Sequence, residues 1–359
     1  MVLTYEYILK EELFEDLLRV TRGEIDECVA IVQQAHDAMR AAHANFNNLR
    51  GGIYRAADFV VWLFSFSAIY RNLSVMATIL GLHVGQVQRK VYWTAKVLAS
   101  ALKERYVVFK TYEAMKSEAN KSPFGRNAEL EYLHGVPVFV VDGTGVPTFK
   151  PSESRLNRLL YCWFKRKHQI RCQVVIDITG HAVYIGRMKE GHMSDNTAMA
   201  LDRSEPDRSG FVDKFSGHFD ELLRKEGSYV IEDVRNALFV ILGDKGYGKF
   251  VPPPRTAVVL TASAEGLDEG GCRYIDRKMR NKCIFTSPIV APYRSLIERV
   301  FGRIWNMSSF LRGPIFFSQL DVAHDLMVTY LALSNRALGL GFDIYGQNQD
   351  SSSDDENSQ

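Results

Sequence analysis

The chain has 359 residues, 46% of them hydrophobic and 24% charged, which is enough to bury a core and to build about two domains, and it is not the composition of a disordered protein. No run approaches the roughly 18 unbroken apolar residues that span a bilayer, and the first residues, MVLTYEYILKEELFEDLLRV, are acidic where a secretory signal would be basic, so no membrane partner is expected. Five cysteines without a C-x-x-C spacing argue against a disulfide framework or a zinc ribbon, and are expected to be reduced thiols.

The formal net charge is only +2, but the charge is unevenly placed. The first 27 residues and the tail SSSDDENSQ are acidic, whereas Thr148 to Glu190 holds nine Lys/Arg against three carboxylates. A second basic stretch, Cys272 to Arg303, includes Arg294. Basic blocks of this kind suit a polyanion such as double-stranded DNA, whose phosphates supply most of the non-specific affinity. The alternative is an ordinary solvated basic surface.

Residues 1 to 125 read as a helical region. Leu3, Tyr7, Leu13, Leu17, Leu18, Ile25, Val29 and Val32 fall at helical spacing up to a break at Gly51-Gly52. A second helical stretch contains LSVMATILGLHVGQVQRKVYW. Its Ala77, Gly81 and Val87 occupy the small, turn and apolar positions of a helix-turn-helix over about 73–98. Ser74 would cap the first helix, and the second would present Gln86, Gln88, Arg89 and Lys90 to a groove or to phosphates. A plain helical hairpin is the competing reading.

From 126 to 340 the pattern predicts an α/β domain. VPVFVVD, Val136 to Asp142, is an apolar, β-rich run ending on a carboxylate, and ALFVILGD, Ala237 to Asp244, repeats it. Between them Arg171 to Ile178 and His181 to Arg187 read as strands joined by a Thr179-Gly180 hairpin, and Ser194 to Glu226 as helix and loop. The segment 252–287, rich in Pro, Gly and charge, reads as an irregular insertion. From Ile289 the stripe Tyr293, Leu296, Ile297, Val300, Phe301 and Ile304 predicts a helix with Glu298 beside it, and 341–359 reads as an acidic disordered tail.

Asp142, Asp244 and Glu298 could therefore converge. Three clustered carboxylates repel one another unless divalent cations neutralise them, and hard ions such as Mg²⁺ or Mn²⁺ prefer oxygen ligands. Two such ions can activate an attacking oxygen and stabilise the leaving one at a phosphodiester. Each acid also has a purely local reading: Asx turns for Asp142 and Asp244, and an ion pair with Arg294 or Arg299 for Glu298.

The strings VDGTGVP, YCWFKRKHQIRCQVVID, GHMSDNT, LGDKGYGK and YRSLIERVFGRIW, in this order, resemble the nuclease domain of PIF/Harbinger DDE transposases and their bacterial insertion-sequence relatives. The resemblance covers roughly Val136 to Leu338, and the preceding helices resemble that family's helix-turn-helix. It implies a ribonuclease-H-like mixed sheet flanked by helices. It also implies Asp142, Asp244 and Glu298 as catalytic, metal-binding residues for two divalent cations, Mg²⁺ or Mn²⁺. Lys165, His168 and Arg171 would line the DNA side, with Asp195 in support. The implied activity is cleavage at the ends of a mobile element and joining of 3′-hydroxyls to target DNA. Synapsis of two ends calls for a homo-oligomer, and the family's eukaryotic members act with a Myb-like DNA-binding companion, in the nucleus; a bacterial member would be cytoplasmic. Trp163 stands where the family has a small residue, Ser194 where a histidine precedes the aspartate, and CIFTSPIVAP lacks the family's asparagine. A domesticated, catalytically silent DNA-binding or scaffold protein of the same fold, or a nuclease acting on RNA or a hybrid, are the other readings.

Overall fold

The structure, a computed structural model, describes residues 4–10, 12–42, 54–70, 72–121, 135–201, 210–229, 231, 236–248, 250–262, 272–274 and 282–339. The expected tail at 341–359 and the Gly51-Gly52 break lie outside the described residues. The chain divides into two compact units: Met1–Tyr106, Val146–Lys150 and Gly302–Arg336 form the first, and Val107–Gly145, Pro151–Phe301 and Ala337–Gln359 the second. Among the described residues no helix is long and apolar enough to cross a membrane.

Helices build the first unit: α1 (Tyr5–Lys10), α2 (Arg22–Ala42), α3 (Ala56–Ser65), α4 (Leu73–Leu80) and α5 (Val84–Tyr106), joined late in the chain by α12 (Ser309–Arg312) and α13 (Leu320–Gly339). All of α3 except Ala57 is buried, as a mostly apolar helix in the middle of a bundle must be. On α5 the buried positions Val87, Val91, Ala95, Leu98 and Leu102 recur at three- and four-residue intervals, so one stripe faces the core and the rest meets water. Glu27 of α2 ties this unit together. It accepts hydrogen bonds from Arg105 (2.6 Å) and Tyr106 (2.6 Å) at the end of α5, and from Arg336 (2.5 Å) of α13. Burial works to raise the Glu27 carboxyl, but these three donors outweigh it and hold the group below its ordinary value.

The α4–α5 turn follows the expected residues with one correction. Asn72, not Ser74, caps α4, its side chain accepting from the Ser74 amide at 2.8 Å. Gly81 ends the helix at φ 64°, and the amide of Leu82 reaches back to the Ala77 carbonyl at 3.0 Å. That left-handed residue with a bond spanning the last turn is why a glycine stands there.

The second unit is α/β. A nine-stranded mixed sheet has the order β2-β3-β1-β6-β7-β9-β8, with β4 and β5 also paired to β3. Its strands are β1 (Val138–Pro147), β2 (Tyr161–Cys162), β3 (Lys167–Asp177), β4 (Ala182–Ile185), β5 (Lys189–Glu190), β6 (Phe239–Gly243), β7 (Thr256–Ala262), β8 (Cys272–Tyr274) and β9 (Lys282–Thr286). Strands β1, β6, β7 and β9 run parallel, β8 is antiparallel to β9, and β2, β4 and β5 are antiparallel to β3. The helices are α6 (Tyr112–Lys121), α7 (Ser154–Leu160), α8 (Asp195–Leu201), α9 (Phe211–His218), α10 (Asp220–Glu226) and the start of α11 (Ser287–Met307).

Two expectations change here. The stretch 252–287, expected to be irregular, contributes β7, β8 and β9; the prolines at 252–254 and the charged, glycine-rich residues between strands conceal the runs TAVVLTA and KCIFT. Strand β1 also does not stop at Asp142 but continues to Pro147. The Thr179-Gly180 hairpin between β3 and β4 is present, with Gly180 at φ 88°. Cys28, Cys162 and Cys172 are buried free thiols.

One face of the sheet packs Phe139, Val141, Phe239, Ile241, Val258 and Leu260 against Phe211, Phe215 and Phe219. Side chains alternate along a strand, so Val138, Val140 and Asp142 on β1 point the other way, as do Val240 and Leu242 on β6. The apolar runs of β1 and β6 are buried on both faces, which explains their near-continuous hydrophobicity.

Candidate active site

The parallel register pairs Val138 with Val240, Phe139 with Ile241 and Val140 with Leu242. Asp142 lies two residues past the last of these pairs, inside β1, and Asp244 two past it, just beyond the end of β6, so the two aspartates sit at matching positions along neighbouring parallel strands. Each carboxylate accepts a local amide: Gly143 donates to Asp142 Oδ1 at 2.7 Å, and Gly246 to Asp244 Oδ1 at 2.7 Å. The Asx reading holds for Asp244, whose carboxylate takes the amide two residues on, whereas Asp142 accepts from the next residue inside β1.

A third aspartate joins them. Asp195, the first residue of α8, accepts from Arg171 Nη2 at 2.5 Å and from Gln173 Nε2 at 3.0 Å, both through Oδ1. A Cβ on Gly143 would lie 2.7 Å from Asp195 Oδ1 and 2.8 Å from Arg171 Nη2; one on Gly246 would lie 2.7 Å from Asp244 Oδ1 and 3.0 Å from Asp195 Oδ2. Asp195 thus lies against both Gly143 and Gly246, and both positions need glycine because a carboxylate fills the space a side chain would take. Arg171 also donates to the Met193 carbonyl at 3.0 Å. Tyr247, fully buried after Asp244, donates its hydroxyl to Gln173 Oε1.

Electrostatics follow from this crowding. Burial pushes the Asp142 carboxyl from its ordinary 3.8 to about 6, with Asp244 and Asp195 adding to the rise and the Gly143 amide and Arg294 opposing it. Burial also pushes the Tyr247 phenol well up, helped by Asp195, Asp142 and Asp244. Three carboxylates and one phenol therefore share a field in which Arg171 and Arg294 supply the positive charge.

Glu298 is placed differently. Its side chain is 62% exposed on α11 and lies 3.9 Å from Arg294, one helical turn away. Arg294 also lowers the Asp142 carboxyl electrostatically, so one guanidinium serves both acids. Among the described residues no group of three or more His, Cys, Asp and Glu side chains is close enough to hold a metal ion. In donor chemistry the fit is good, since hard divalent ions take carboxylate oxygen and Asp142 carries a charge penalty that a cation relieves. In assembly it is partial: Asp142 and Asp244 occupy matching places on neighbouring strands, and Glu298 is not grouped with them.

The expected DNA contacts are scattered. Lys165 is exposed in the turn between β2 and β3. His168 packs on the Tyr161 ring and its Nε2 meets Asn157 Oδ1 at 2.5 Å. Arg171, mostly buried, is taken up by Asp195. In the first unit Gln86 and Arg89 are exposed on α5, whereas Lys90 is half-buried with its Nζ 4.5 Å above the Phe59 ring. Gln173 and Tyr247 were not anticipated; alternation with Arg171 along β3 is the signal that places Gln173 on the Asp195 side.

Comparison with protein-family models, curated proteins and solved structures finds no match for this chain.

Proposed function

We propose that the chain is a divalent-metal-dependent DNA endonuclease and strand transferase of the DDE transposase type, with a ribonuclease-H-like second unit and a helix-turn-helix formed by α4 and α5. The observation that carries this reading is the side-by-side placement of Asp142 and Asp244 on two adjacent parallel strands, with Asp195 against the glycines that follow them and Asp142 raised to about 6. The rise alone does not mark a site, since burial also pushes Asp325 to about 6; what sets Asp142 apart is that two other carboxylates, Asp244 and Asp195, add to it.

On this reading Asp142, Asp244 and Glu298 hold two Mg²⁺ or Mn²⁺ ions, and Glu298 has to exchange Arg294 for that role. The bound ions supply Lewis-acid activation of the attacking oxygen and stabilisation of the leaving oxygen. The chain's own residues do the rest. The Gly143 and Gly246 amides fix the two carboxylates in direction, Asp195 anchors Arg171 and Gln173 behind them, and Tyr247 locks Gln173. Once released from Glu298, Arg294 is free to pair with a phosphate of the substrate. Exposed Lys165, Gln86 and Arg89 serve as backbone or groove contacts, while Lys90 and His168 support them from beneath.

A second reading, a catalytically silent DNA-binding descendant of the same fold, is favoured by the Glu298–Arg294 pairing and the unassembled third ligand. Calorimetric Mn²⁺ titration separates the two, run with and without a short duplex on the wild type, Asp142→Ala, Asp244→Ala and Glu298→Ala. The enzyme reading expects DNA-assisted metal binding that each variant loses, together with metal-dependent nicking. Carboxylate-independent binding, or none, supports the silent descendant.

A further inference from the structure

The β2–β3 hairpin carries an unusual tip. Its turn, Trp163-Phe164-Lys165-Arg166, closes with Arg166 in the left-handed region at φ 51°, and Lys167 opens β3. Trp163 is 78% and Phe164 92% exposed. Three consecutive cations follow them, and no carboxylate occurs between Glu153 and Asp177. Two large rings left in water beside three cations that form no ion pair among the described residues are poorly explained as fold stabilisation.

The root of this tip is rigid. Tyr161 pairs with His168 and Cys162 with Lys167 across the hairpin. The Trp163 ring stands edge-on to Tyr161 at 4.9 Å and 84°, and Tyr161 meets His168 at 5.1 Å. Asn157 of α7 then fixes His168. Trp163 is therefore propped by a column of rings, with its outer surface open.

We propose that this tip is a stacking site for an unpaired nucleobase, Trp163 and Phe164 covering the base while Lys165, Arg166 and Lys167 take the adjoining phosphates. The chemistry is that of single-strand recognition, in which aromatic faces stack on bases without regard to sequence and cations follow the backbone. Strand β3 runs from this tip to Arg171 and Asp195. At about 3.3 Å per residue, the four residues from Lys167 to Arg171 set the tip about 13 Å from the candidate active site, close to four base steps of a duplex. The inference rests on the proposed DNA substrate and deepens it: the preferred substrate has unpaired bases near the cleavage point. A membrane interface is the other class of surface that rewards such a mixture of rings and cations. The continuity of the strand into the carboxylate cluster favours nucleic acid.

Fluorescence anisotropy on the full chain tests this with three labelled probes of about 20 nucleotides, a length spanning at least one typical single-strand site: a single strand, its duplex, and that duplex with a short unpaired bubble. Vesicles of phosphatidylcholine and phosphatidylserine form a fourth arm. Wild type is expected to prefer the single strand and the bubble. Trp163→Ala with Phe164→Ala should weaken those two by roughly tenfold or more while barely changing duplex binding, and Trp163→Phe should restore most of the loss. Lys165→Gln with Lys167→Gln should lower the salt dependence on the single strand by about one to two ions. Because both rings are so exposed, thermal melts of these variants should match the wild type. Single-strand and bubble binding within about twofold of wild type in the aromatic variant, against the tenfold expected from lost stacking, overturns the proposal. So does a loss confined to vesicles, which assigns the tip to a membrane surface. The Asp142→Asn, Asp244→Asn double variant distinguishes the two levels of argument. If it and the wild type bind the single strand through the tip but neither cuts, the stacking site stands and the nuclease reading fails; if wild type cuts DNA and the tip variants bind as it does, the stacking site alone fails.

Discussion

Asp142→Asn should make the metal-free protein more stable. Keeping a carboxyl ionised when its folded value is about 6 against an ordinary 3.8 costs about 3 kcal/mol at about 1.36 kcal/mol per tenfold shift. The sign follows from the folded value being the higher one. Below the ordinary value Asp142 is protonated folded or unfolded and costs nothing. As pH rises toward 6 the unfolded chain releases the proton and the folded chain must keep it or bear the charge, so stability falls; above 6 the penalty is complete. Asparagine keeps the acceptor for the Gly143 amide and never bears the charge. Allowing for imperfect replacement of one oxygen by an amide, the gain is about 2 kcal/mol at pH 8, shrinking toward zero near pH 4. Urea denaturation in excess chelator at both pH values measures it. A variant less stable than wild type at pH 8, or a difference independent of pH, would refute the electrostatic argument. The same substitution should abolish any metal-dependent activity, so a gain in stability accompanied by loss of function is the expected signature of this residue.

Two further outcomes concern charge pairs. Arg171→Met should destabilise the protein by about 3 kcal/mol, because it strands the mostly buried Asp195 beside two other carboxylates. Asp195→Asn should cost less, since it also removes that repulsion, and equilibrium unfolding of the double variant should show a cost below the sum of the two. Glu27→Gln should cost about 2 kcal/mol through weakened charge-assisted bonds to Arg105 and Arg336. Since Glu27 is held below its ordinary value, the wild type's advantage is present above that value and should vanish as pH falls through the folded one; parallel acid titrations of stability that keep the gap constant would contradict this.

The strands that deliver the site are the part most openly written in the chain. VFVV before Asp142 and FVIL before Asp244 are long apolar runs because both faces of β1 and β6 are covered, and a run of that kind ending on a carboxylate has few other structural uses. What surrounds them is less legible. Asp195 meets Asp142 and Asp244 only through folding, and nothing in GHMSDNT states that its two oxygens will lie against Gly143 and Gly246. Lys90 follows Arg89 in the chain, but helical rotation turns it onto Phe59 while Arg89 stays in water. The prolines at 252–254 weigh against strand locally, yet β7 begins at Thr256, with one residue in between, and pairs with β6 over five residues, because sheet propensity yields to tertiary pairing. For Glu298 the spacing fixes the helix but not the rotamer, and Arg294 at four residues' distance is a partner available without any metal.

The composition of the first unit bears on how the chain is made. Its helices up to Tyr106 are completed by residues from Gly302 onward, so the 213 residues between Tyr106 and Leu320 must be made before α13 can cover them. At about 5–20 residues per second that is a delay of roughly 10–40 s. Throughout it the bundle lacks Leu326, Met327 and Leu331, which are fully buried in the finished protein. Nascent chains should therefore depend on holding factors during this interval, and fragments ending before α13 should be recovered chiefly as aggregates, whatever the stability of the complete molecule.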